Sequence, residues 1–336
     1  MNAEPVVPGQ SFTADAFRPD DAAGIVNLFR AVYGEAYPIA SYYDPDWISR
    51  TNASGELISV VSRTPSGDIV AHSALYRSSP ANPALLELGL GLTLPEYRST
   101  VAMLGITLYF RDTLVPGLTC DGIFGEAVCN HVITQKLCSF MGMHECALEI
   151  DLMPAESYQA EQSAAGRVSC LSLFREITDQ QHPLFLPDTC AGFLQELFPL
   201  VKITRGLAPA DASPRVDVTE LQTTFFDFAA VSRCNLIRVG ADYVAALTAM
   251  EEDARSKGRQ ISQVYVNLAD PANGVAVAWL QAQGYFPGGL MPCWFVAGDA
   301  LLLQKLEQAP GFDRVNLQSK QAKQLLELVQ RYRGVV

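Results

Sequence analysis

Along this chain two hydrophobic periods alternate, and that alternation limits the fold more than any other feature. Short β-rich runs such as LISVVSRT (57–64), IVAHSALYR (69–77) and SQVYVNLA (262–269) are separated by stretches with helical spacing. In RPDDAAGIVNLFRAVYG, Ile25, Leu28, Phe29 and Val32 share one helical face behind Asp20 or Asp21 as N-cap. A chain that keeps switching between periods of 2 and 3.6 buries strands and helices against each other in layers. The expected class is therefore α/β (α+β), with mixed sheets flanked by helices. At roughly 150 residues per domain, 336 residues point to two domains.

The expected elements follow in order. The hairpin at 57–77 turns at Pro65-Ser66-Gly67-Asp68. Next come a strand at LLELGLGLTL (85–94), a helix from Val101 to Leu114 and a strand at DGIFGEAV (121–128). NHVITQKLCSFMG (130–142) is a helix closed by Gly142, and HECALEIDL (144–152) is a strand. PAESYQAEQSAAGR (154–167) is polar and small, so 155–168 is the expected linker between domains 1–154 and 169–336. Beyond it come a strand at 169–177, a helix at 189–201 and a flexible stretch, GLAPADASPR (206–215). Two β-rich runs reach Val239, followed by a helix (241–258), a strand (262–269), a helix (271–284), a strand (285–296) and a tail helix (316–333).

Apolar residues make up 49% of the chain and charged residues 18%, with a net charge of −12. Nucleic acid and anionic membranes are poor partners for such a chain, because both need basic patches. MNAEPVVPGQSF has no basic segment followed by a long apolar one, and no run is long enough to span a membrane, so a cytoplasmic protein is expected. Eight scattered cysteines without a CxxC are expected to be reduced thiols. Cys129, His131, Cys138, His144 and Cys146 cluster in sequence, but their spacing matches no zinc template, so no metal is expected.

Three stretches resemble the GNAT superfamily of N-acetyltransferases: LELGLGLTLPEYR, the helix after it, and NHVITQKLCSFMGM. They are similar to the family's central strand with its V-x-P-x-[YF]-R turn, its pyrophosphate-binding helix, and its late N…GF motif. The resemblance implies acetyl-CoA, or another acyl-CoA, as co-substrate and a small-molecule or peptide amine as acceptor. Backbone N–H groups opening a helix suit a pyrophosphate. The family's [RQ]-x-x-G-x-[GA] falls on Arg98, Ser99, Thr100, Val101, Ala102 and Met103, where Val101 and Met103 replace the small residues. Leu92, Thr93 and Leu94 would flank the N–H groups facing the thioester, and Asn130 resembles the Asn that opens the late helix. Glu87, Glu126 or His131 would serve as general base. Cys138 stands where the family places a proton-donating Tyr. In the second half, NLADPANGVAVAWLQAQGYF repeats the late motif through Asn273, Ala276 and Gly284, but RVGADYVAAL has no phosphate loop. The resemblance thus implies tandem GNAT-like domains packed as a pseudo-dimer, with the second lacking the cofactor site. A non-catalytic acyl-CoA sensor or scaffold is the alternative reading.

Overall fold

The computed structural model describes residues 6–35, 37, 39–79, 81–155 and 166–334. Its first half runs β1 (Thr13–Ala16), α1 (Ala22–Tyr33), α2 (Pro45–Ser54), β2 (Leu57–Arg63), β3 (Ile69–Tyr76) and β4 (Leu85–Thr93). It continues with α3 (Ala102–Tyr109), β5 (Gly122–Val128), α4 (Ile133–Phe140), β6 (His144–Met153) and β7 (Val168–Glu176). Next come β8 (Pro183–Leu186), α5 (Ala191–Val201), β9 (Gly206–Pro209), β10 (Glu220–Phe226), β11 (Val231–Arg238), α6 (Tyr243–Ser256) and β12 (Ile261–Asn267). The chain closes with α7 (Asn273–Ala282), β13 (Phe286–Phe295), β14 (Gly298–Leu306) and α8 (Lys320–Arg333). The expected α/β class, with a large mixed sheet and flanking helices, is what the chain adopts.

Local chemistry sets the element ends. Helix α1 follows Asp21 and buries Ile25, Val26, Leu28 and Phe29 before Gly34 ends it. Helix α2 is capped by the Asp44 carboxylate, which accepts the Asp46 N–H, and it ends at left-handed Gly55. Both caps satisfy N–H or C=O groups that a helix end leaves without partners.

Twelve strands form one continuous sheet in the order β1-β2-β3-β4-β5-β7-β6-β13-β14-β12-β11-β10. The sense of pairing repeats about the β6–β13 seam. In the first half β4 is parallel to β5, and β7 is antiparallel to both β5 and β6. In the second β11 is parallel to β12, and β14 is antiparallel to both β12 and β13. The helices repeat as well: α3 and α4 occupy the places in chain order that α6 and α7 take later.

The seam itself is narrow. Strands β6 and β13 pair at Ala147 and Gly289, which has φ +151°. A Cβ on Gly289 would lie 2.3 Å from the Ala147 Cα, so only glycine lets the backbones meet. Beside it, Gly288 leaves room for the buried Gln304 side chain. That amide donates to the Leu148 carbonyl (2.9 Å) and accepts the Ile150 N–H (2.8 Å), acting as a side-chain rung where the ladder lapses.

Three expectations need correction. The stretch at 206–215 is not wholly irregular, because Gly206–Pro209 pairs in parallel with β8. The helix from Val101 tightens its bounds to Ala102–Tyr109 and continues as a π-helical turn over Phe110–Leu114. The strand beyond the expected linker, β7, lies between β5 and β6, so it completes the first half's sheet. Most of that linker, 156–165, lies outside the described residues.

Gly289→Ala is expected to lower stability by about 3 kcal/mol, since overpacking against fixed backbone has little room to relax. Urea denaturation of the full chain would show this as a lower midpoint.

Candidate active site

Strand β4 opens the sheet. It pairs with β5 only from Leu85 to Glu87, opposite Gly122 to Phe124. On its other side, His72 faces Leu92 while Ala74 faces Gly89, so β4 carries one extra residue as a bulge. Leu90 takes a positive φ of 56° there. His72 is buried and places Nδ1 3.1 Å from the Leu90 carbonyl and Nε2 3.1 Å from Ser59 Oγ. Burial pulls its pKa down to about 4, so it props the bulge as a neutral imidazole.

The bulge decides which N–H groups are available. The Leu94 N–H donates to the Val70 carbonyl at 2.9 Å and cannot serve a ligand. By strand alternation the Thr93 and Gly91 N–H groups point the other way, toward the side that β5 has left. Leu92 and Leu94 therefore flank the Thr93 N–H and do not themselves supply one on that side. Leu92 is also buried, while Thr93 is partly exposed and Gly91 fully so. Gly91 was not singled out from the sequence, although a glycine inside a strand is a signal of close backbone approach.

Two of the expected acids come together where the sheet opens. Glu87 accepts a 2.6 Å bond from the Tyr76 hydroxyl. Burial raises its pKa, and the Ser78 and Tyr76 side chains pull it back. Glu126 lies on β5, one alternation beyond Phe124. Burial, then the nearby Glu149 charge, pushes its pKa up to about 8. Its bond is to Arg233 Nη2 at 3.1 Å.

Arg233 and Glu149 were missed in the sequence. Arg233 sits on β11 of the second half and also donates to Glu149 Oε2 (3.0 Å) and, through Nε, to Gln263 Oε1 (3.0 Å). Its guanidinium lies 5.3 Å from the Tyr265 ring centre and 5.4 Å from that of Phe226. Glu149 is fully buried and also accepts from Ser172 (2.6 Å), Gln263 (2.7 Å) and Tyr265 (3.2 Å). Neither stands out locally, since β6 also carries Glu145 and Asp151, and β11 also carries Asn235 and Arg238.

The other expected residues lie elsewhere. His131 Nδ1 accepts the Ile133 N–H at 3.3 Å and so caps α4. Asn130 lies half-buried in the bend before that helix. Cys138 is buried against Gly125, and burial drives its thiol up to about 12. Passing its proton to an ordinary thiolate near 8.5 would be uphill by roughly 5 kcal/mol.

The turn at 98–103 stands at the surface. Arg98, Ser99, Thr100 and Val101 are exposed, Met103 is half-buried and Ala102 is buried at the start of α3. Tyr97 anchors the turn, donating to the Val7 carbonyl at 2.7 Å. Val101 keeps φ −88° and ψ 14°, open to an L-residue, and its side chain is 64% exposed. The equivalent turn of the second half is covered by the chain itself. There the N–H groups of Gly240, Ala241 and Asp242 donate to Thr219 Oγ1 (3.0 Å), the Val216 carbonyl (2.9 Å) and the Asp217 carbonyl (3.2 Å). A Cβ on Gly240 would meet the Val218 carbonyl carbon at 2.3 Å.

No family model and no curated protein matches the chain. Solved structures do. Two of them, from Bacillus cereus and Desulfovibrio desulfuricans, are described as acetyltransferases of the GNAT family, the second as a putative one. Another is the ribosomal-protein-S5-alanine acetyltransferase of Vibrio fischeri, at 10% identity and a TM-score of 0.37, covering 52% of this chain and 98% of that one. An N-acetyltransferase of Staphylococcus aureus matches at 9% identity and 0.38, covering 50% and 99%. A spermidine/spermine N-acetyltransferase of Vibrio cholerae matches at 14% and 0.36, covering 50% and 93%. Likenesses of this degree leave activity to be argued from the residues themselves.

Arg233→Met is expected to cost about 3–5 kcal/mol near pH 8, because it strands two carboxylates. A carboxyl whose pKa is raised on folding binds more protons folded than unfolded. Stability then falls as pH climbs from the unfolded value near 4.5 to the folded one, about 8 for Glu126 in the native protein. Denaturation midpoints across pH 5 to 9 should therefore show the variant's deficit widening toward the alkaline end.

Proposed function

We propose that the chain is an N-acyltransferase, passing an acetyl or other acyl group from CoA directly to an amine. The observation that carries this reading is the opened β4 edge: pairing with β5 stops at Glu87, which frees backbone N–H groups further along β4, and two carboxyls of raised pKa, Glu87 and Glu126, stand where the strands part. Glu126 is the base in this reading. A carboxylate with a pKa near 8 takes a proton from an ammonium far better than one near 4.5. The freed amine lone pair attacks the thioester carbonyl, and the β4 N–H groups stabilise the developing oxyanion. The carbon–sulfur bond then breaks, and the thiolate departs to take up a proton. Cys138 is not its donor in this reading.

The turn at Arg98–Met103 is the proposed site for the CoA pyrophosphate, with the exposed residues Ser99 and Val101 at the start of α3 as the N–H donors, since the Thr100 N–H is given to the Tyr97 carbonyl at 3.0 Å. The covered turn at Gly240–Asp242 leaves no such place in the second half. The repeated strand order supports a tandem pair, a pseudo-dimer within the chain, and we place the division after Glu176. A cytoplasmic setting fits eight buried, unpaired thiols. A sensor or scaffold without turnover is the second reading, favoured by Val101 and Met103 in place of small residues.

Calorimetric titration with acetyl-CoA, followed by thiol release over a panel of amines, separates these readings. Binding with release is expected. Binding without release on any amine would favour the sensor, and no binding at millimolar CoA would sink both. Arg98→Glu should weaken CoA binding at least tenfold, and an unchanged affinity would move the phosphate site elsewhere. Glu126→Gln should lower kcat/KM by about 10²–10³-fold. The rate of the unaltered protein should rise with pH through about 8, and the variant should lose that limb.

A further inference from the structure

A cleft of about 440 Å³ opens between the two halves, with Arg77 and Ser78 on one side and Thr224, Phe226, Arg233 and Trp294 on the other. Both acids of the candidate site are tied to its lining. The Ser78 side chain bonds Glu87, and Arg233 bonds Glu126. The cleft's own cations are already committed. Arg77 donates to the Pro83 and Gly55 carbonyls (2.9 and 3.2 Å), and Arg233 serves two carboxylates. Three acids, Glu87, Glu126 and Glu149, therefore lie about one guanidinium, that of Arg233, while Arg77 keeps its charge against neutral carbonyls on the other side of the cleft.

The acids are unequal. Glu149 has four donors and is locked, whereas Glu126 holds one bond and keeps about a fifth of its side chain exposed. If Glu126 turns away, Arg233 still has Glu149, Gln263 and its aromatic cage. Glu126 is thus the carboxylate free to meet an incoming cation. Outside this acidic end, the cleft presents the Phe226 ring and Trp294, whose indole N–H is already given to Asn235 Oδ1 at 2.7 Å. The Trp294 ring is buried and stacked on Tyr265 at 4.3 Å, so the half-buried Phe226 is the ring an apolar body would meet, and a second ammonium would find no carboxylate along this stretch of the lining.

We propose that this cleft is the acceptor site, shared by the two halves, and that it takes a small primary ammonium with a single charge and an aromatic or aliphatic body. The ammonium displaces Arg233 from Glu126, and the body lies along Phe226. The second half then acts as the specificity element for chemistry carried out on the first. The role of this amine as acceptor rests on the acyltransfer reading above, but its binding does not.

The probe is phenethylamine, titrated calorimetrically into the full chain at pH 7 in phosphate and in Tris, with spermidine for comparison. An ammonium beside Glu126 favours its ionised form, so binding should release between about 0.5 and 1 proton, read from the difference in enthalpy between buffers. Glu126→Gln should abolish that release. Thr224→Trp fills the cleft from an exposed position, and it should weaken phenethylamine at least tenfold with an unchanged thermal melt. Phe226→Ser should weaken phenethylamine about fivefold and leave spermidine unaffected. The proposal is overturned by absence of binding to about 10 mM, by binding without proton release, by tighter binding of spermidine than phenethylamine, or by indifference to Thr224→Trp. Binding as described but no acyl transfer to any amine would sink the acyltransferase and leave the cleft. Transfer to phenethylamine with a KM unmoved by Thr224→Trp and Phe226→Ser would do the reverse.

Discussion

A carboxylate with no exposure to water persists only if its lone pairs are met, and the site is organised around meeting those of Glu149. Its donors come from three strands in two halves: Ser172 on β7, Arg233 on β11, and Gln263 and Tyr265 on β12. Arg233 cannot leave without stranding the Glu149 charge, which would cost several kcal/mol. The halves are thereby fixed in register at their charged centre. Glu126 gains its character from the same arrangement, since burial and the locked Glu149 charge both raise its pKa. One structural ion pair therefore sets the basicity of the acid beside it.

That centre is reachable only because the seam is thin. Gly289 brings the β6 and β13 backbones together, and Gly288 admits Gln304 as a substitute rung. Larger residues at either position would push β11 and β12 away from β5 and β6, and Arg233 would lose its carboxylates. The same logic runs through β4. His72 holds the bulge at Leu90, the bulge ends pairing with β5 after Glu87, and the break turns backbone N–H groups outward. In both places a small irregularity in a large sheet makes room for chemistry.

Much of the fold was legible because periodicity is a local signal. Strands β2 to β6 and helices α1, α6 and α7 fall close to their expected bounds, with turns at Gly67 and Gly142 where glycine signals them. What was not legible depends on distant neighbours. Strand β7 follows the polar linker and reads as the start of a new domain, yet its place between β5 and β6 is set by pairing. Strand β14 has a partner on each side and no turn chemistry stronger than Ala297-Gly298 to announce it. At the site, Glu87 and Glu126 were found through their strand positions. Arg233 was not, because a cation more than a hundred residues along the chain gives no local sign of the carboxylate it will meet.

The two halves also differ in what becomes of the N–H groups at a helix start. A helix start presents N–H groups whether or not a ligand exists. In the second half those groups are consumed by the segment at 216–219, and Asp242 returns the favour by accepting the Thr219 N–H at 2.7 Å. An internal partner supplied at high effective concentration outcompetes a dissolved phosphate. At 98–101 the residues stand exposed, with Val101 toward solvent, although the Thr100 N–H is given to the Tyr97 carbonyl at 3.0 Å. The occupied turn ties the segment at 216–219 to the start of α6, directly after β11, the strand that carries Arg233 to Glu126.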